Sequence, residues 1–213
     1  MYLKTLSTNV INIWGKEGKS WLNQLSKIIE RLSEHWHLYD INPVENMSYN
    51  YVAKATLNNK TPVILKVSFD KQLITDEYRA LKHFNGQGAI KALDIHHDLN
   101  ALLLEQAIPG ELLKSQYMND LKNTIKLYSN VVKKLALQPR PDSHFTHVEK
   151  WCDTLERIHD NHIETDHIIK AKNLRNFLLN SVESQYLCHG DLHLENIIYI
   201  IITSGFALTQ RAL

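Results

Sequence analysis

The residues best equipped for chemistry lie together late in the chain, in Cys188-His189-Gly190-Asp191-Leu192-His193-Leu194-Glu195-Asn196. Their spacing is H-x-D-x-x-x-x-N, a pattern suited to moving a phosphoryl group from a nucleotide to a hydroxyl. A carboxylate must lie beside the attacking hydroxyl, and an amide oxygen one loop-length later must reach a magnesium ion on the phosphates. On that reading Asp191 orients the acceptor hydroxyl and takes its proton, and Asn196 ligates the metal. His189 braces the loop through hydrogen bonds, and Gly190 permits a tight backbone there. The same side chains admit two other readings: an ordinary polar loop, or a metal cluster of H-x-D-x-H type. Asp94-Ile95-His96 even offers the D-x-H that opens a metallophosphoesterase site, but that reading needs further ligands on later strands and the sequence supplies none.

His189-Gly190-Asp191-Leu192-His193, with Asn196 three residues on, resembles the catalytic loop of aminoglycoside phosphotransferases and their small-molecule kinase relatives. Protein kinases carry Arg where this chain has Gly190. Within that superfamily, Leu103-Leu104-Glu105-Gln106-Ala107-Ile108-Pro109-Gly110 is similar to the aminoglycoside 6-phosphotransferase (streptomycin kinase) and hydroxyurea kinase branch. The resemblance runs from about Met47 to Ile198. It implies an α+β, protein-kinase-like fold of two lobes, a β-rich N-lobe over residues 1–107 and a helical, incomplete C-lobe over 108–213. It also implies ATP and Mg2+ as cofactors and a small molecule, streptomycin-like, as the phosphoryl acceptor.

The elements that must position these residues can be read from periodicity. Trp21, Leu22, Leu25, Ile28, Ile29 and Leu32 predict an amphipathic helix over 20–33. Strands are expected at 36–39, 49–57 and 61–69, the last two joined by a turn at Asn58-Asn59-Lys60. Ser48-Tyr49-Asn50-Tyr51 falls where the kinase fold lays a loop over the phosphates, without the G-x-G-x-x-G of protein kinases. Lys66 is a lone cation in the apolar strand Ile64-Leu65-Lys66-Val67, where an unpaired charge is costly. The resemblance makes it the phosphate-holding lysine, paired with Glu77, which opens a helix continuing through Ala80, Leu81 and Phe84. The alternative is a lysine reaching solvent beside a solvated glutamate.

A second strand pair is expected at 91–95 and 101–107 across the turn at 97–100. By resemblance the backbone at Glu105 to Ala107 is the hinge that holds adenine. Helices follow at 117–137, 145–159 and 168–179, with Gln138-Pro139-Arg140-Pro141-Asp142 between the first two. Leu121, Ile125, Tyr128, Val132 and Leu135 are expected to make one core-facing stripe. Gln185 to Leu187 reads as a short strand delivering the catalytic loop, and 197–202 as a strand leaving it.

Composition narrows the classes. The chain has 213 residues, 44% hydrophobic and 22% charged, as in an ordinary globular domain. A net charge of +1 gives no electrostatic footprint for nucleic acid or an acidic membrane surface. Cys152 and Cys188 are too few for a disulfide framework, and with no secretory leader or membrane-length apolar run they fit a cytoplasmic protein with reduced thiols. Oligomeric state has no sequence signal.

After Glu195 the sequence contains no Asp or Glu. The second metal-binding aspartate that this site chemistry uses is therefore missing from the expected place. The expectation is a chain shortened just after Ile198, with impaired transfer activity. The alternative is an inactive nucleotide-binding or interaction remnant.

Overall fold

In the computed structural model, which describes residues 3–45, 47–117, 119–137, 144–158, 163–199 and 207–208, alternation along the strands sets the main sheet. Strands β1 (Leu38–Pro43), β2 (Asn50–Leu57), β3 (Pro62–Ser68), β4 (Ala92–His96) and β5 (Ala101–Glu105) form an antiparallel sheet in the order β1-β2-β3-β5-β4. Successive side chains point to opposite faces. One face carries Tyr51, Ala53, Ala55, Val63, Leu65, Val67, Ala101 and Leu103, which share a core with Leu6, Val10, Leu25, Leu32 and Trp36 of helix α1 (Lys4–Trp36). The opposite face carries Lys66 and faces helix α2 (Lys71–Phe84), which contacts β3, β4 and β5.

Helix α1 is much longer than the predicted 20–33 segment. Its first part packs Leu6, Val10 and Trp14 against the core but leaves Ile11 and Ile13 exposed, so its apolar residues form no single clean stripe in sequence. The two parts meet at Gly15, whose φ of 54° lies in the left-handed region that favours glycine. Beyond the kink, Gly18 comes so close to the first part that a Cβ there would sit 2.7 Å from the Val10 carbonyl oxygen. Helix α1 also runs through Trp36, where a strand was expected to begin. Trp36 is buried, and its Nε1 donates to Asp94 Oδ2 at 2.8 Å. The left-handed His37 then ends the helix, and the strand starts at Leu38.

The β2–β3 turn falls at Asn58-Asn59-Lys60 as expected, with Lys60 at φ 65°. Helix α2 starts earlier than expected, because the Asp70 carboxylate accepts the N–H groups of Gln72 and Leu73 and caps it. Glu77 consequently stands two turns inside the helix. It belongs to the buried stripe Ile74, Glu77, Leu81 and Phe84.

The chain forms two compact units, Met1–Ala136 with Cys188–Leu213, and Leu137–Leu187. In the first, a small antiparallel sheet joins β6 (Glu111–Leu112), β7 (Ile197–Tyr199) and β8 (Ala207–Leu208). Helix α3 (Leu113–Tyr117) precedes the helix expected at 117–137, which appears as α4 (Leu121–Leu135), starting where the Asp120 carboxylate accepts the Asn123 N–H. The facing of α4 corrects the sequence expectation. Thr124, Val131 and Leu135 are buried, whereas Leu121, Ile125 and Val132 are exposed.

In the second unit, α5 (Val148–Cys152) passes into a 3-10 turn (Asp153–Arg157) and is followed by α6 (Thr165–Asn180). Polar contacts join these elements: Arg175 reaches Glu156 at 3.1 Å and Lys172 reaches it at 2.7 Å. The hydrogen bond from Lys172, aided by the charge of Arg175, holds the Glu156 carboxyl below its ordinary range. None of this unit's described residues is buried. The strand expected at 185–187 reduces to one bridge between Leu187 and Leu137. The Pro-containing segment 138–142, residues 200–202 of the last expected strand and most of the 204–213 tail lie outside the described residues. Among the described residues no helix is long and apolar enough to cross a membrane.

Candidate active site

Lys66 occupies the middle of β3, between Val52 of β2 and Leu102 of β5 in the sheet register. Both neighbouring strands hold it in place, and its side chain has no route to solvent, being 2% exposed. Its Nζ donates to Glu77 Oε2, and the Glu77 side chain is 4% exposed. The alternative of a lysine reaching solvent is thereby removed. Glu77 Oε1 is buried without a hydrogen-bond partner among the described residues. A buried ion pair adds little net stability over apolar residues of the same size.

The loop 189–196 follows the second unit and leads into β7. Gly190 adopts φ 87°, which only glycine takes without strain, so it permits the turn between His189 and Asp191. The Asp191 N–H donates to His189 Nδ1 at 3.3 Å. The proton of the neutral ring therefore sits on Nε2, a buried atom with no partner among the described residues. Burial is the main force holding the His189 pKa below its ordinary value; the charges of His193 and Lys66 act the same way, and the Asp191 carboxylate opposes them.

Asn196 closes the loop from its far end. Its Nδ2 donates to the Asp191 carbonyl at 2.8 Å and to Asp191 Oδ2 at 2.9 Å. Its Oδ1 is left buried and without a partner among the described residues. An amide oxygen is a hard donor of the kind a magnesium-type cation takes, supplying one ligand of such an ion's shell. His193 Nε2 lies 3.5 Å from the same Asp191 Oδ2, which leaves Oδ1 as the freer carboxylate oxygen.

Two residues for which the sequence suggested no such role hold the loop. Tyr128 of α4 donates its hydroxyl to the Leu192 carbonyl at 3.0 Å, Lys114 pairs with Glu195, and the Lys114 N–H donates to the Leu194 carbonyl at 3.1 Å. The sequence signal at Tyr128 was its place in an apolar stripe, which hid the hydroxyl.

At the expected hinge, Glu105 is committed to the protein. Its carboxylate accepts the Lys91 N–H at 3.1 Å, and its own N–H donates to the Lys91 carbonyl at 2.9 Å. Ala107 is buried, and its carbonyl oxygen lies so close to Gly110 that a Cβ there would sit 2.9 Å away. The H-x-D-x-H metal reading is not realised: no group of three or more His, Cys, Asp or Glu able to hold a metal occurs among the described residues. Asp94 and His96 serve local structure instead, accepting from Trp36 and from the Leu99 N–H.

A β-sheet bearing a buried lysine–glutamate pair, followed by helices and an H-x-D-x-x-x-x-N loop, defines a kinase-like α+β fold. Solved structures agree on the fold. A choline/ethanolamine kinase family protein from Mesorhizobium loti superposes with a TM-score of 0.61 at 9% identity, over 86% of this chain and 64% of that one. A choline kinase from Streptococcus pneumoniae gives 0.55 at 17% identity, over 87% of this chain and 67% of that one. Residues 35–202 match the aminoglycoside/hydroxyurea antibiotic resistance kinase family, and the chain belongs to it. The streptomycin 6-kinase of Streptomyces glaucescens is 21% identical over 136 residues, 64% of this chain and 44% of its own. That of Streptomyces griseus is 22% identical over 127 residues, 60% of this chain and 41% of its own. The chain thus spans less than half the length of the curated relatives it matches.

Proposed function

We propose that this chain carries the nucleotide and base half of a phosphotransferase site, for transfer of the γ-phosphoryl of ATP to a hydroxyl of a streptomycin-like aminoglycoside. The observation that carries the reading is the fully buried Lys66–Glu77 pair, because sequestering two charges is costly and a bound polyphosphate gives the cation a purpose. Family membership and the streptomycin 6-kinase relatives support the chemistry and the acceptor class.

In this reading residues 1–107 form the nucleotide lobe and residues 108–213 a partial second lobe. Lys66 contacts the phosphates and Glu77 orients it. The backbone from Glu105 to Ala107 contacts adenine, with Glu105 offering its carbonyl because its N–H is taken by Lys91. Asp191 accepts the proton of the acceptor hydroxyl on Oδ1, while Asn196 and His193 hold Oδ2. His189 holds the Asp191 backbone. Bound magnesium would neutralise charge on the phosphates, with Asn196 Oδ1 as its ligand from this chain.

The second reading is a nucleotide-binding or interaction remnant without transfer activity. The discriminating experiment combines ATP binding with phosphate transfer to streptomycin, for wild type and Asp191→Asn. Binding with slow transfer that Asp191→Asn abolishes supports the enzyme. Binding without transfer supports the remnant, and absence of ATP binding overturns the enzyme and the nucleotide-binding remnant.

A further inference from the structure

Only Phe69 and Asp70 separate β3, which carries Lys66, from α2, which carries Glu77. The direction in which the chain leaves the sheet at this junction sets where the Glu77 carboxylate arrives. Glu77 lies about two turns beyond the Asp70 cap, roughly 10 Å along the helix axis. A tilt of about 15° at the junction would therefore move the carboxylate by about 3 Å, the whole length of a hydrogen bond.

The junction is held from both faces of the sheet. On the α2 side, Ser68 Oγ accepts the Asp70 N–H at 3.0 Å, and the Asp70 carboxylate caps the helix. Alternation along β3 sends Val67 and then Phe69 to the opposite face, where α1 packs. There the Phe69 ring meets two indoles. Its centroid is 5.0 Å from that of Trp14, tilted at 43°, and 6.3 Å from that of Trp21, edge-on at 83°. Both spacings are those of attractive aromatic pairs. Trp14 and Trp21 stand on either side of the Gly15 kink, so both parts of α1 grip the same ring. The first part is anchored in turn by Leu6 and Val10, both fully buried, and by Asn9, whose Nδ2 donates to the Ser48 carbonyl at 3.0 Å. The two tryptophans precede residue 35, where the family match begins.

We propose that Phe69 is a positioning residue for the Lys66–Glu77 pair, held by the kinked helix α1 through Trp14 and Trp21. It acts through the β3–α2 junction, from the face of the sheet opposite the pair. Its effect on nucleotide binding rests on the phosphotransferase reading above; its effect on the pair does not.

Two measurements on the full chain test this. The first is a double-mutant cycle in denaturant stability between Phe69→Ala and Lys66→Met/Glu77→Leu. A clasp that aligns the pair loses part of its effect once the pair is gone, so the combined loss should be smaller than the sum. The second titrates ATP and adenosine against wild type, Phe69→Ala, Phe69→Leu and Leu32→Ala, at a temperature where all four are folded. Phe69→Ala should bind ATP at least about tenfold more weakly, with adenosine unchanged. Phe69→Leu refills most of the space, should fall between, and replaces Phe69→Ala in both measurements if that variant fails to fold. Leu32 is fully buried in the same core, so Leu32→Ala should lower the melting temperature and leave ATP affinity at the wild-type value. Additive losses in the cycle overturn the inference. Where wild type binds ATP, unchanged affinity in Phe69→Ala also overturns it, as does an equal weakening in Leu32→Ala. Non-additive losses in a chain that binds no ATP remove the phosphotransferase reading and leave the positioning of the pair standing.

Discussion

The side-chain amide of Asn196 donates twice to Asp191, to its backbone carbonyl at 2.8 Å and to its carboxylate at 2.9 Å, and turns a buried, unpartnered oxygen the other way. One residue thereby fixes the proposed base and offers the metal ligand. Asn196→Ala should destabilise the fold by about 1–3 kcal/mol, because the Asp191 carbonyl loses its donor. It should also flatten the dependence of ATP affinity on Mg2+. Chemical denaturation and an ATP titration at several Mg2+ concentrations check both; an unchanged Mg2+ dependence removes Asn196 as a ligand.

The Lys66–Glu77 pair should behave as a buried pair and not as a surface one. Glu77→Ala strands an ammonium in the sheet and should cost about 3–5 kcal/mol. The double variant Lys66→Met/Glu77→Leu replaces both partners with apolar groups and should recover most of that loss. Denaturant midpoints of the wild type, the single and the double variant decide it. Losses that simply add would show the two residues are not acting as a pair.

Acid should weaken the fold through His189. Its pKa is depressed in the folded chain, chiefly by burial, so the native state holds it neutral while the unfolded chain protonates near its ordinary value of 6.5. Stability from this group is present above about pH 6.5 and is lost as pH falls from there through the lower folded value. His189→Gln should therefore show a smaller drop in denaturant midpoint between pH 7.5 and 5.5 than wild type. Identical pH slopes for the two proteins would contradict it.

The facing of α4 gives a simple test of packing. Ile125 is 56% exposed whereas Leu135 is 4% exposed. Ile125→Lys should change stability by no more than about 0.5 kcal/mol, and Leu135→Ala should cost about 2–5 kcal/mol. If the two effects are reversed in a thermal or denaturant melt, the helix is turned the other way.

Much of the site was legible because chemistry constrains spacing. Asp191 and Asn196 sit a fixed loop-length apart, and Lys66 interrupts an apolar strand, so both stand out from their neighbours. Glu77 was found as the glutamate on the helix that follows the Lys66 strand, although the helix start was misjudged because the Asp70 cap lies outside the apolar periodicity. Several elements were hidden for physical reasons. The first part of α1 mixes packed Leu6, Val10 and Trp14 with exposed Ile11 and Ile13, and its course depends on the left-handed conformation of Gly15. The α4 stripe was read as core because periodicity reports that a helix is amphipathic, not which neighbour covers it; Thr124 and Val131 are buried instead. Tyr128 reaches Leu192 from 64 residues away, a contact that local sequence does not encode.

The most direct measurement of the central claim is an equilibrium titration of ATP, with Mg2+, against wild type and Lys66→Met/Glu77→Leu. The double variant keeps the β3–α2 contact apolar, so a cooperative melt separates loss of the site from loss of the fold. Wild type should bind ATP, and the double variant, still folded, should bind at least about tenfold more weakly. Equal ATP affinity in the two folded proteins would contradict a phosphate-holding role for Lys66 and, with it, the phosphotransferase reading of this site.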